Sequence, residues 1–175
     1  MGLGLFVLHA AVGALIVGHG AQKLFGAFGG HGVEGTAGFF ESLGLRPGRV
    51  HAVAAGSAEV AGGALLALGL FTPLAAALVI AVMVTAIATV HAKNGPWVSD
   101  GGYEYNLVLI VVAFALAGAG AGEWSLDAAV GLDVAGAAWA IGALVVGLVG
   151  GIGALVTGRL GAGGGRDRSQ VSAAA

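Results

Sequence analysis

Five apolar runs, near residues 3–23, 51–70, 74–93, 103–120 and 134–157, divide the chain, and most of its polar residues lie at their ends or between them. A helix needs about 20 such residues to cross the hydrocarbon of a bilayer, so each run is predicted to be a membrane-spanning helix. Thr72-Pro73 separates the second run from the third, because proline lacks an N–H donor and restricts its predecessor. The two are therefore expected to be antiparallel neighbours. Between 24 and 50, TAGFFESLGL offers Thr36 as a cap and the pair Phe39-Phe40 ahead of Gly44 and Pro47. It suits either a short interfacial helix or an irregular loop with aromatic anchors. In the fifth run, Gly147 and Gly151 have the spacing that lets helix backbones approach closely. That spacing is read first as packing on the other four helices and second as an oligomer seam. The end, GAGGGRDRSQVSAAA, reads as a disordered tail.

Composition makes the bilayer the first partner: 58% of residues are hydrophobic, 9% are charged and the mean hydropathy is +0.96. A formal charge of −2 supplies no basic face for a phosphate backbone, which excludes nucleic acid as a partner. The absence of cysteine removes disulfides, thiolate metal ligands and thiol redox chemistry from this polypeptide. MGLGLF has neither the basic start of a cleaved signal nor the Ser or Thr of a myristoylation site, so the first run is expected to be retained. All seven basic residues can fall on one side: Lys23, Arg46 and Arg49 in the first connection, Lys93 in the third, and Arg159, Arg166 and Arg168 in the tail. By the positive-inside rule this predicts a multi-pass protein with its N-terminus outside and its C-terminus cytoplasmic.

Alternation of the first four spans gathers polar residues on one side. His19, Gln22 and Lys23 close the first helix, and His51 opens the second with Glu59 further in; His91, Lys93 and Asn94 close the third, and Glu104 and Asn106 open the fourth. Glu59 is eight residues beyond His51, about 12 Å deeper along a helix. An ionised carboxylate there costs at least about 2.5–3.5 kcal/mol and faces the bundle interior with a partner. Candidates are His19 or Lys23, which share a helix face, and His91 or Lys93. Snorkelling to the interface is the plainer reading of Lys23 and Lys93 taken alone. Taken together, the group is read as a polar pocket open to one side.

No metal is assigned to this group. The histidines have no compact ligand spacing such as HExxH, and His51 and His91 sit near span ends rather than facing one another at matched depth, which argues against haem. His9 is expected to be an isolated polar group on the opposite side. GHGVEG, residues 30–35, matches G-x-G-x-x-G but follows a membrane helix rather than a strand, so its glycines are assigned to chain turning.

The strings GHGAQKLFGAFGGHGVEGTAGFFESLGLRPG, AGSAEVAGGALLALGLFTPLAA, MVTAIATVHAKNGPW and GGYEYNLVLI, in that order, resemble the DoxX family of small bacterial membrane proteins, and WSLD resembles the ending after its fourth helix. The resemblance covers about residues 4–130. It implies an all-α, polytopic fold with a four-helix bundle core over 1–130; the fifth run departs from the family pattern and adds a C-terminal transmembrane helix over 131–158, followed by the disordered cytoplasmic tail over 159–175. It further implies a bacterial plasma-membrane location and kinship with the small subunit of a thiosulfate:quinone oxidoreductase. A mycobacterial member is associated with a membrane complex that includes superoxide dismutase and a sulfurtransferase. The motif positions that carry over are His19, Gln22, Lys23, Glu59, His91, Lys93, Asn94, Glu104 and Asn106, while His9 stands where many relatives have Arg. The leading expectation is thus a quinone-linked oxidoreductase subunit that needs a redox partner protein, with quinone as its cofactor class and nothing bound covalently. The alternative is a non-enzymatic scaffold for soluble redox or oxidative-stress enzymes, or a small-solute carrier.

Overall fold

The computed structural model describes residues 2–173, with side chains described through residue 162, and there is no strand among them. In chain order, α1 (Gly2–Phe25), α2 (Gly32–Ser42), α3 (Gly48–Leu68) and α4 (Thr72–Ala86) come first, and α4 continues through a π turn, Ile87–His91, and a 3-10 turn to Asn94. They are followed by α5 (Glu104–Ala119), a short α6 (Leu126–Ala129) and α7 (Ala137–Ala173). Four stretches, Gly2–Phe25, Gly48–Leu68, Thr72–Asn94 and Ala137–Ala162, are long and apolar enough to cross a bilayer.

The fourth expected span is shorter than its sequence run. α5 has 16 residues, about 24 Å at 1.5 Å per residue. Its start is fixed by a folded loop in which Tyr103 N–H donates to Gly95 O at 3.1 Å and Glu104 N–H to Pro96 O at 2.8 Å. Its end is set by Gly120, whose φ of 77° leaves the helical region. The five helices nonetheless alternate from end to end. Gly136 N–H donates to Gly118 O at 2.8 Å, bringing the start of α7 to the end of α5, and α7 then returns to place Gly158 O on Arg46 N–H at 3.0 Å. The backbone of α7 does not stop at 158: residues 159–173 of the expected tail continue the helix, whose ladder no proline interrupts. Residues 174–175 and the side chains of Arg166 and Arg168 lie outside the described residues.

Glycine sets the helix spacing at two interfaces. A Cβ on Gly20 would stand 2.8 Å from Gly56 O, so α1 and α3 pack backbone to backbone. A Cβ on Gly147 would stand 2.6 Å from Ile80 Cβ, and one on Gly151 2.8 Å from Ala81 O. The Gly147-xxx-Gly151 face is therefore turned to α4 inside the bundle. Ile16, Ala76, Val79, Ile80 and Leu109, from α1, α4 and α5, form the apolar centre between the two ends.

The segment after α1 is helical over α2 rather than irregular, and Thr36 is not its cap. The cap position is His31, and Thr36 lies inside the helix, where its Oγ1 donates to Lys23 O at 3.4 Å. Gly30 lies so close to the Gln22 backbone that no side-chain carbon fits there. Its place in the G-x-G-x-x-G string serves this close return of the chain.

At the opposite end, His9 is 2% exposed and donates Nδ1–H to Leu5 O at 2.9 Å, within its own helix. Nearby, buried Asp127 accepts Phe71 N–H at 2.9 Å and donates its own N–H to Gly69 O at 3.0 Å, tying α6 to the α3–α4 turn. Phe71 holds a φ of 47°, unusual for a non-glycine residue, and the carboxylate fixes that turn. Asp127→Ala is expected to lower stability by about 1 kcal/mol, the net worth of the hydrogen bond it removes, read as a fall in the thermal midpoint in detergent. An unchanged midpoint would show that the turn holds without the carboxylate.

Candidate ligand cavity

Lys23 and Glu59 form the centre of the site. Glu59 is 1% exposed, and both of its oxygens accept from Lys23 Nζ, at 2.7 and 2.6 Å. The close contact of α1 with α3 at Gly20 and Gly56 puts the two side chains within reach. Of the four candidate partners in the sequence, this lysine is the one that meets the carboxylate. Its ammonium turns inward to a buried carboxylate, the reverse of snorkelling.

The pair borders a cavity of about 520 Å³ between α1, α2, α3, α4, α5 and α7, a volume in the range of small-molecule sites. His19, Lys23, Glu59, His91 and Asn106 all line it. The His19 ring lies 6.3 Å, centroid to centroid, from that of Tyr105, tilted by 57°. The His91 Nδ1 is 2.8 Å from Gly101 O; a carbonyl only accepts, so Nδ1 carries the proton and Nε2 of the neutral ring is an acceptor. Asn106 is buried and donates Nδ2–H to Met83 Sδ at 3.4 Å. The remaining wall is mostly small and apolar, with alanines from α3 and α4 and Gly150 and Ala154 from α7.

The other four sequence candidates do not line the cavity. Gln22 Nε2 donates to Phe28 O at 3.2 Å and helps close the turn after α1. Asn94 Nδ2 donates to Gly101 O at 3.1 Å, and Glu104 accepts Val98 N–H at 3.0 Å, so both brace the 95–103 loop that carries the acceptor for His91. Lys93 is exposed. Conversely, Tyr105, His51 and Thr85, which are not among the motif positions, also line the cavity. His51 had been placed at the right end by alternation, and Tyr105 adjoins Asn106 on the same helix. Thr85, whose hydroxyl donates to Ala81 O at 2.9 Å and lies 3.3 Å from Gly151 O, had no distinguishing pattern in an apolar run. Among the described residues, no group of three or more His, Asp or Glu is placed to hold a metal ion.

Residues 4–92 match the DoxX family model. Over 107 residues, 61% of this chain and 73% of the relative, the sequence is 32% identical to a Bacillus subtilis (strain 168) protein named "Putative oxidoreductase CatD". No solved structure matches the chain. His19, Lys23, Glu59 and His91 fall within the matched family segment, whereas Tyr105, Asn106 and the α7 wall lie beyond it.

Proposed function

The chain belongs to the DoxX family, and from that premise we propose that it is a quinone-binding subunit of a membrane oxidoreductase, set in the bacterial plasma membrane with the cavity end cytoplasmic. The observation that carries this reading is the composition of the cavity. Polar groups from α1, α3, the π turn and α5 line the cavity that the Lys23–Glu59 pair borders, and most of the rest of its wall is apolar. A flat, neutral ring with two carbonyl oxygens fits such a wall, because it needs few hydrogen bonds and a large apolar contact.

A bound quinone supplies two-electron, two-proton carrier chemistry. The chain's own part is to hold the ring and handle protons. Tyr105 offers an O–H donor, and His91, with Nδ1–H fixed on Gly101 O, presents Nε2 as a proton acceptor. The electrons come from a partner subunit, since the chain has no cysteine with which to build a dithiol or a thiolate-bound centre. The name of the Bacillus relative is consistent with an oxidoreductase assembly. The basic ends Lys23, Arg46, Arg49 and Lys93 support the cytoplasmic assignment of the cavity end.

Titration of the purified full chain in nanodiscs with a short-chain ubiquinone tests the proposal. His91→Ala and Tyr105→Phe are each expected to weaken binding about tenfold, the equivalent of one hydrogen bond of ~1.4 kcal/mol. Absence of binding by the unaltered chain, or equal affinity in all three proteins, sinks the reading. Capture of soluble redox enzymes without quinone binding would favour the scaffold role instead.

A further inference from the structure

α7 lies outside the matched family segment, yet it forms a wall of the cavity. Near the membrane surface the α2–α3 connection is fastened to it. Arg46 N–H donates to Gly158 O at 3.0 Å, Leu45 is 1% exposed against Gly158, and a Cβ on Gly158 would stand 3.2 Å from His51 Nε2. This fastening joins α3 and α7 beside Leu45 and His51, two residues that line the cavity.

Deeper in the bilayer the same two helices present only small side chains. Ala54 and Ala58 on α3 face the cavity from one side, and Gly150 and Ala154 on α7 from the other. Ala54 is exposed, beside Val50 at 61% and Val53 at 41% exposure, and on α7 the neighbouring Ile152 and Val156 are 53% and 50% exposed. In a membrane these exposed aliphatic side chains face lipid. On this side the cavity is thus walled by small residues, Ala54 and Gly150 among them exposed, next to side chains that face hydrocarbon.

We infer that this α3–α7 slot is the portal and tail subsite of the cavity: its ligand enters from the lipid and leaves its hydrocarbon chain lying between Ala54, Ala58, Gly150 and Ala154. The occupant is committed by what lines each part of the space. One part carries the Lys23–Glu59 pair with His91 and Asn106, and the α3–α7 side is walled by alanine and glycine beside lipid-facing aliphatic residues. Only an amphiphile with a polar head and an apolar chain matches both. The small residues make α7 the element that sets chain specificity, since each larger side chain there removes volume the chain would fill. The inference deepens the quinone reading and rests on it for the identity of the head, but the slot's fit for a chain can be tested separately.

Two ligands with the same kind of ring, decylubiquinone and a ring-only dimethoxy-methylbenzoquinone, are titrated into the full chain and into Ala154→Phe in nanodiscs. Ala154→Phe is expected to weaken decylubiquinone about tenfold and to leave the ring-only compound unchanged. Equal loss for both compounds, or no loss for either, overturns the slot. Ala54→Phe, at an exposed position, repeats the test where Ala154→Phe does not fold. Should neither quinone bind the unaltered chain, the quinone reading fails, and a diazirine amino acid at position 58 still decides the slot in liposomes. Photo-adducts with a phospholipid acyl chain support it, and adducts confined to the protein overturn it.

Discussion

Lys23→Met is expected to destabilise the bundle by about 3–5 kcal/mol, because it leaves the Glu59 carboxylate buried without its counter-charge. Glu59→Gln should cost clearly less. The freed lysine side chain is already 24% exposed and can extend along the helix surface to the interface, whereas Glu59, at 2%, has no such route. The double replacement Lys23→Met with Glu59→Gln is expected to recover much of the loss, since the unpaired charge is gone and only the desolvation of a neutral amide remains. Tryptophan-monitored melting in detergent separates these cases. Equal losses in the two single variants would show that the pair is not a one-sided burial of the carboxylate.

The second large effect is expected at the α4–α7 contact. A Cβ on Gly151 would stand 2.8 Å from Ala81 O and 3.0 Å from the Val84 side chain, so Gly151→Leu cannot be accommodated without moving α7. Overpacking of this kind costs about 1–3 kcal/mol. Here the displacement also carries away Gly150 and Ala154, so ligand binding should be lost along with stability. Gly153 on the same helix has nothing within 4 Å of its Cβ position, and Gly153→Leu should change stability by no more than about 0.5 kcal/mol. Comparable melting points for the two variants would mean that α7 is not held by its glycine face.

The grouping of polar residues at one end was legible because alternation of spans requires nothing but length and hydropathy. Which of them share a cavity was not. Gln22, Asn94 and Glu104 sit at the correct end but bind backbone groups of turns whose shape depends on left-handed or sharply bent residues such as Phe28 and Gly101, and periodicity is silent about those. His91 shows a second limit. Eight residues after Met83, it would lie about 80° off that residue's face on a regular helix at 100° per residue. The π turn absorbs about one extra residue, which brings His91 back to within about 20° of Met83, and both line the cavity. IATVH carries no mark of that change of phase. The shortness of α5, by contrast, was largely visible: the apolar run 103–120 is itself short of the about 20 residues of a full span, and the helix gives up only Tyr103 to the preceding loop and Gly120 to the following turn.

That shortness bears on the bilayer itself. Leu107, Val108 and Val111 of α5 are 47%, 53% and 57% exposed, so this helix is part of the outer wall of the bundle. Its apolar length of about 24 Å falls short of the ~30 Å of an average hydrocarbon layer. Beyond its end, Asp127 and Asp133 line an indentation of about 230 Å³, and Asp127 is bound there to Gly69 and Phe71 of the α3–α4 turn. Lipid along this flank must thin or tilt to meet the polar edge, at a fraction of a kcal/mol per Å of mismatch. The bundle therefore meets lipid along α5 with a shorter helix than along α1, α7 or α4 with its continuation to Asn94, and this flank suits a thinner bilayer than the others.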